Sequence, residues 1–259
     1  MNYPKIVKIQ EIIIENKDVK TIKFNFAEKT KPGQFFMVWI PGIDEIPMSV
    51  SIIEGNVKGI TFRKVGEATN ALFKLKKGDK IGIRGPYGNG FTIKGKKILF
   101  VGGGTGIAMI APAVKEAISK NISTTVILGV KNKDEIFFED RIKKFGAEVF
   151  VSTDDGSKGQ KGFATDLTKD IMKKEKFSKI FTCGPEIMTK KLLEISGKIP
   201  FEASLERYMK CGVGICGQCC VGEGIRICKD GPIIKGIDLI NIKDFGRFKR
   251  NASGKKIKF

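Results

Sequence analysis

Residues 97–106 read KILFVGGGTG, an apolar run that ends in a cluster of glycines. The apolar run is typical of a buried parallel strand, and residues 106–120 continue with helical periodicity. Glycines at a strand-to-helix turn allow the first backbone amides of the helix to approach a diphosphate. The stretch therefore predicts an α/β domain with a nucleotide site at the carboxyl end of its first strand.

The alternation of strand and helix continues to about residue 199. Apolar strand-like runs between amphipathic helical segments predict a parallel sheet covered on both faces. The glycine run departs from the G-x-G-x-x-G template, since Ile107 takes the place of the last glycine. Residues 129–131, at the end of the second strand, include no ribose-binding acid. An ordinary Rossmann dehydrogenase is therefore disfavoured.

Upstream, residues 6–87 contain six short strand-like runs, separated by turns rich in Lys, Gly, Pro and Asp. Runs of this length and spacing predict a small antiparallel barrel. Residues 68–75 alone have helical periodicity, and they follow directly after Gly66 and Glu67. This helix start is a second candidate site for a phosphate. The glycine-rich stretch 84–97 marks the boundary with the α/β region.

Downstream, five of the six cysteines lie within 18 positions. Cys211, Cys216 and Cys219 have C-x4-C-x2-C spacing, and Cys228 follows after eight further residues. The first spacing is that of a plant-type [2Fe–2S] site, whereas structural zinc sites usually pair two knuckles of about two to four residues. We interpret these four cysteines as cluster ligands, with zinc as the alternative, and expect Cys220 to be a buried neighbour.

The composition limits the kinds of catalysis and the kinds of binding partner that this protein can have. The 259 residues contain no histidine, which excludes Ser/His and Cys/His catalysis and His-ligated metals. The net charge of +19 would suit nucleic acid or an anionic membrane surface, but lysine is spread along the whole chain. No apolar stretch approaches the roughly 20 residues of a membrane helix, and we find no signal-peptide pattern. We expect a cytoplasmic protein that binds neither nucleic acid nor membrane; a basic zinc-containing nucleic-acid-binding protein is the distant alternative.

The order of these motifs resembles a known superfamily. A barrel, the GGGTG turn and Cys183-Gly184-Pro185 after a later strand are similar to the layout of the ferredoxin–NADP reductase superfamily. The narrower likeness is to the electron-transfer subunits of dihydroorotate dehydrogenase. It rests on the cysteine module and on PMSVS at 47–51, GPYGNGF at 85–91, SLERYMKC at 204–211 and CKDGP at 228–232. The resemblance implies an NAD-linked oxidoreductase subunit of pyrimidine biosynthesis with FAD and a [2Fe–2S] cluster.

We expect three parts: an FAD-binding antiparallel β-barrel at residues 1–92, a parallel-sheet NAD-binding α/β domain at 93–199, and a small C-terminal [2Fe–2S] module with a basic tail at 200–259. The resemblance also implies two sets of cofactor-binding residues. Those for FAD are Pro47, Met48, Ser49 and Val50 beside the flavin, with Gly66, Ala68 and Thr69 at its diphosphate. Those for NAD are Gly103, Gly104, Thr105 and Gly106, with Cys183, Gly184 and Pro185 near the nicotinamide.

One departure concerns the flavin diphosphate. Members of the superfamily usually have Arg-x-Tyr-Ser here, with the Arg on the diphosphate and the Tyr against the isoalloxazine, whereas residues 46–49 read IPMS. We expect backbone amides and either Lys64 or Arg63 to supply the missing charge. Met48 would replace the aromatic ring.

The resemblance implies that the substrate chemistry lies outside this chain. Hydride transfer needs alignment of cofactors rather than a protein base, so we predict no catalytic residue and interpret Asp154 and Asp155 as loop-capping groups. The implied partner is an FMN-containing dihydroorotate dehydrogenase catalytic subunit, in a heterotetramer of two plus two. An NAD(P)H:ferredoxin or hydrogenase-linked reductase subunit is the alternative. Lys131 and Lys133 leave both NAD and NADP open.

Overall fold

The computed structural model describes residues 3–259. Its first part contains six strands and one helix: β1 (Lys5–Ile14), β2 (Val19–Asn25), β3 (Phe35–Ile40), β4 (Asp44–Glu54), β5 (Val57–Arg63), α1 (Glu67–Lys74) and β6 (Lys80–Tyr87). The strands close into a barrel in the order β1-β2-β5-β4-β3-β6, and each neighbouring pair is antiparallel. The predicted antiparallel barrel is confirmed.

Side chains that alternate along the barrel strands fill the barrel core. Ile22 and Phe24 of β2 are fully buried in the barrel core, whereas Lys23 between them is partly exposed. Phe36 meets Phe24 edge-on, with ring centroids 5.9 Å apart. This two-residue period is what a strand buried on one face requires.

The second part is an α/β layer. Its strands are β7 (Lys97–Gly103), β8 (Ser123–Val130), β9 (Glu148–Thr153), β10 (Gln160–Lys161) and β11 (Lys179–Cys183). Its helices are α2 (Gly106–Ser119), the 3-10 turn Lys133–Glu135, α3 (Glu139–Phe145), α4 (Ala164–Lys174) and α5 (Glu186–Ser196). All neighbouring strands of this group are parallel, as predicted.

Strand β7 shows why helices cover both faces of the sheet. Its residues Ile98 and Phe100 pack in one apolar cluster with α2 and α3, and Leu99 and Val101 pack in a second cluster with α4 and α5. All four side chains are fully buried. A strand buried on both faces is continuously apolar, which is the pattern seen in the sequence.

The C-terminal part begins with β12 (Phe201–Ser204). It continues with β13 (Cys220–Val221), β14 (Ile225–Arg226), α6 (Ile227–Asp230), β15 (Ile233–Lys235), α7 (Gly236–Ile240), β16 (Phe248–Arg250) and β17 (Lys256–Lys258). β12 pairs parallel with β11, and β15 pairs antiparallel with β12, so both extend the sheet to seven strands. The cysteine segment 211–228 thus leaves from one strand of the sheet and returns to another.

Three ion pairs connect the barrel to the α/β layer. Arg141 Nη2 lies 2.9 Å from Glu15 Oε1, Lys115 Nζ lies 3.4 Å from Glu54 Oε1, and Arg63 Nη2 lies 3.4 Å from Glu135 Oε2. Helix α2 also packs against β4. A cleft lies between the two parts, next to these contacts. Within residues 3–259, no helix is both long and apolar enough to cross a bilayer.

Candidate cofactor sites

The carboxyl ends of β7 and β11 lie in close contact. A β-carbon on Gly106 would stand 2.2 Å from the carbonyl oxygen of Cys183, and one on Gly103 would stand 2.8 Å from Cδ of Pro185. Only glycine fits where two backbones approach this closely. The structure therefore brings together the two groups of residues that the sequence assigns to NAD.

A cleft of about 430 Å³ lies between the barrel and the α/β layer. Pro47, Met48, Ser49 and Thr69 line it from the barrel side, and Thr105 and Gly106 line it from the α/β side. The segment after β12 forms part of the wall through Leu205, Glu206, Arg207 and Met209. The cleft thus joins predicted flavin residues to predicted nicotinamide residues.

The other predicted flavin residues have different positions. The side chain of Val50 is fully buried in the barrel core, and its backbone N–H donates to the carbonyl of Gln34 at 3.0 Å. Val50 therefore supports the strand from inside the barrel. Gly66 and Ala68 lie at the start of α1, where Thr69 Oγ1 accepts hydrogen bonds from the Val65 and Gly66 amides at 2.9 and 3.0 Å.

Two smaller cavities continue from the GGGTG turn. One, of about 320 Å³, is lined by Gly103, Gly104, Thr105, Gly184 and Pro185 together with Arg63, Lys131, Glu135 and Glu206. The other, of about 360 Å³, extends from Gly103 and Gly104 past Gly129 to Asp154 and Phe163. Gly103, Gly104 and Pro185, which are predicted to bind NAD, line both of them. Together, the two cavities extend the cleft beyond the GGGTG turn and provide space for the far end of an elongated nucleotide.

Cys183 lies behind these cavities. It is 1% exposed, and burial raises the pKa of its thiol well above the ordinary value, an effect to which the Glu206 carboxylate adds. Glu206 opens onto the cleft, yet the surrounding walls desolvate its carboxyl and raise its pKa against the opposing effect of Arg207 and Lys249. A thiol kept protonated in this way packs as a small apolar group, so its position gives no nucleophile.

The four predicted cluster ligands lie together in pairs. Cys216 lies against Cys211, and Cys219 lies against Cys228, whose backbone N–H donates to Cys219 Sγ at 3.4 Å. The Cys211 and Cys228 side chains are near enough to interact electrostatically. Backbone amides converge on the sulfurs. Val213 and Ile215 donate to Cys211 Sγ at 3.5 and 3.4 Å. Gly214 donates to Cys228 Sγ at 3.1 Å.

These contacts shift the pKa values of the Cys211 and Cys228 thiols in opposite directions. Burial disfavours ionisation of Cys211, but the backbone amides that donate to its sulfur outweigh burial and lower its pKa to about 6. Burial and the neighbouring Cys219 raise the pKa of Cys228 to about 12. N–H groups directed at sulfur stabilise thiolates, and iron requires thiolate ligands.

The arrangement of the four cysteines in two pairs matches the ligand set of a binuclear cluster. A [2Fe–2S] cluster takes two protein ligands on each of two irons, which matches two cysteine pairs. Cys220, in β13, accepts no loop amide, and its pKa is raised by burial and by Cys219.

A buried ion pair joins the start of α5, next to the predicted nicotinamide residues, to the segment that leads to the predicted cluster ligands. Arg207 Nη2 donates to Glu186 Oε1 at 2.9 Å, and Nη1 donates to Glu186 Oε2; the two side chains are 1% and 5% exposed. The Gly246 amide also donates to Glu186 Oε1, at 2.7 Å. Sequence reasoning assigned no role to Glu186, Glu206 or Arg207, although Glu206 and Arg207 lie within the quoted SLERYMKC motif.

Comparison with known proteins gives two domain matches. Residues 100–193 match the oxidoreductase NAD-binding domain, and residues 206–240 match the iron-sulfur cluster binding domain of dihydroorotate dehydrogenase B. The solved structure described as "NADH-dependent reduced ferredoxin-NADP oxidoreductase" superposes with a TM-score of 0.82 and 29% identity, over 90% of this chain and 89% of that chain. Fold and sites define an oxidoreductase subunit of the ferredoxin–NADP reductase type that uses FAD, NAD and an iron–sulfur cluster.

Two curated relatives narrow the assignment. The "Probable dihydroorotate dehydrogenase B (NAD(+)), electron transfer subunit" of Methanocaldococcus jannaschii is 49% identical over 99% of both chains. The protein of the same name from Methanocella arvoryzae is 45% identical over 98% of both chains. The chain belongs to the family of dihydroorotate dehydrogenase B electron-transfer subunits. The resemblance seen in the sequence is confirmed.

Proposed function

We propose that this chain carries electrons between NAD and an FMN-containing dihydroorotate dehydrogenase catalytic subunit, in a cytoplasmic complex of two copies of each. The supporting observation is one short segment. Leu205, Glu206, Arg207 and Met209 line the cleft, and the same segment reaches the first cluster cysteine, Cys211, two residues later. A flavin in the cleft and a cluster on the cysteine loop would therefore be neighbours.

The positions of the residues suggest which cofactor each group of them binds. When bound, FAD exchanges two electrons with NAD as a hydride and single electrons with the cluster. We assign the cluster to Cys211, Cys216, Cys219 and Cys228. We assign FAD to Pro47, Met48, Ser49, Gly66, Ala68 and Thr69, with Val50 as support, and NAD to Gly103, Gly104, Thr105, Gly106, Gly184 and Pro185, with Cys183 behind them.

The three parts divide at residues 92 and 199 in this proposal, and the last part supplies the partner surface. Ile215 on the cysteine loop is 83% exposed, and Cys216 beside it is also exposed. An apolar side chain next to a redox ligand favours contact with another protein at this loop. The basic residues of the tail, among them Arg247 and Lys249, would attract an acidic partner surface.

Co-expression with the catalytic subunit encoded in the same genome tests the proposal. We expect the two chains to co-purify and the complex to reduce NAD when dihydroorotate is added, while neither chain alone does so. Equal molar amounts of FMN and FAD, together with a native mass equal to two copies of each chain, would support the two-plus-two composition. Catalytic subunit alone with an artificial acceptor is the control for a folded partner.

A second candidate function has one observation in its favour. The similar solved structure with a TM-score of 0.82 is described as a ferredoxin–NADP oxidoreductase. If this chain does not co-purify with the catalytic subunit and instead reduces ferredoxin rapidly with NADH or NADPH, the reductase function would replace the first proposal.

A further inference from the structure

We propose that Arg63 binds the diphosphate of FAD and takes over the role of the arginine that is missing from residues 46–49. This inference rests on the proposed function, because it assumes that the cleft holds FAD. It selects one of the two cations that the sequence leaves open. It also identifies Glu135 as the residue that holds the Arg63 guanidinium in place.

Arg63 is well placed for a dinucleotide. It is the last residue of β5, and it lines both the cleft of about 430 Å³ and the adjoining cavity of about 320 Å³. Its side chain is 25% exposed, so a ligand can reach it. Helix α1 begins four residues later, and Thr69 in its first turn lines the same cleft. A cation and a helix N-terminus on one wall are complementary to a diphosphate.

Glu135, which lines the adjoining cavity of about 320 Å³, holds the Arg63 guanidinium from the α/β layer. Arg63 Nη1 and Nη2 lie 3.5 and 3.4 Å from the two Glu135 oxygens. These distances exceed the roughly 2.7–2.9 Å of a tight bidentate pair, so the contact orients the guanidinium without saturating it. A guanidinium has five N–H donors, and the others remain for phosphate oxygens.

Two other cations near the cleft are committed elsewhere. Lys64 Nζ lies 3.2 Å from Asp18 Oδ1 and 5.0 Å from the centre of the Phe73 ring, and Lys64 does not line the cleft. Arg207 does line the cleft, but both of its terminal nitrogens bind Glu186. Among residues 3–259, Arg63 is therefore the cation lining the cleft of about 430 Å³ that has donors to spare.

The test compares Arg63→Met with Lys64→Met in the full chain after removal of its flavin. Removing a charge-assisted hydrogen bond is expected to weaken FAD binding about 10- to 100-fold in Arg63→Met. Arg63→Lys, which keeps the charge but loses the planar donor set, is expected to lie between wild type and Arg63→Met. Lys64→Met, the matched control, should bind FAD within about twofold of wild type.

Riboflavin, which has no phosphate, distinguishes diphosphate binding from a general change in the cleft. Flavin fluorescence quenching measures both affinities, and we expect riboflavin to bind wild type and Arg63→Met equally well. Unchanged FAD affinity in Arg63→Met, equal losses for FAD and riboflavin, or a loss confined to NAD would each overturn the inference and leave the proposed function intact. A wild-type chain that binds no FAD would overturn both.

Discussion

Replacement of Cys211, Cys216, Cys219 or Cys228 by serine is expected to remove the iron–sulfur signal from the purified protein. Each cysteine belongs to one of two thiol pairs, and the loop directs amides at Cys211 and Cys228. A serine hydroxyl ionises far less readily than a thiol and is a harder ligand, so one substitution leaves an iron with an incomplete ligand set. We expect bound iron to fall from about two per chain to near zero.

Absorbance, iron content and the EPR spectrum of the reduced protein measure this loss, and Cys220→Ser is the matched control. Cys220 adjoins Cys219 in the chain, yet it lies outside both pairs and accepts no loop amide. Its serine variant should retain iron and spectrum. The ligand assignment would be wrong if Cys220→Ser lost the cluster while Cys219→Ser retained it, and bound zinc without iron in wild type would contradict the cluster altogether.

Much of the fold could be predicted because its signals are local. The alternation of Ile22, Lys23 and Phe24 in β2 and the continuous apolar run of β7 each reflect which faces of a strand are buried. The spacing of Cys211, Cys216 and Cys219 reflects the geometry of a single loop around a cluster. In each case the residues that carry the pattern also make the contacts, so a short window contains the information.

The remainder depends on contacts between distant parts of the chain. β15 is three residues long, and its place beside β12 depends on the path of the intervening cysteine loop. Arg207 meets Glu186, 21 residues away, so no periodic pattern marks the pair. Arg63 and Lys64 are equivalent as sequence, because both are basic residues beside α1. Only the position of Asp18 and Glu135 separates them.

Substitution of Glu186 by glutamine is expected to lower the free energy of unfolding by about 3–5 kcal/mol, the usual cost of leaving a buried charge without its partner. Arg207 would keep its positive charge at a site where its side chain is 1% exposed. Its Nε already lacks an acceptor among residues 3–259, and the Glu206 carbonyl, which accepts from Nη1 at 2.7 Å, is an uncharged partner that does not replace the Glu186 carboxylate. Thermal and urea unfolding of the loaded protein measure the effect.

The double variant Glu186→Leu with Arg207→Met separates the lost partner from lost packing. With no buried charge left, it should recover a large part of the stability that Glu186→Gln loses. Lys173, whose Nζ lies 3.0 Å from Asp170 on the surface of α4, gives the exposed control: Asp170→Asn should cost no more than about 1 kcal/mol. A cost for Glu186→Gln as small as that of the control would contradict the account.

The position of the Glu186–Arg207 ion pair leads us to expect an effect on cofactor binding as well as on stability. Glu186 opens α5 directly after Cys183-Gly184-Pro185, and Arg207 lies between β12 and Cys211. The Gly246 amide on the same carboxylate adds the tail to this junction. Because one ion pair holds the Cys183-Gly184-Pro185 loop, the cysteine segment and the tail together, Glu186→Gln should weaken NAD binding and accelerate cluster loss in the same preparation if the proposed sites are correct. If unfolding became easier while NAD affinity and cluster lifetime stayed at wild-type values, the pair would stabilise the fold without positioning either site.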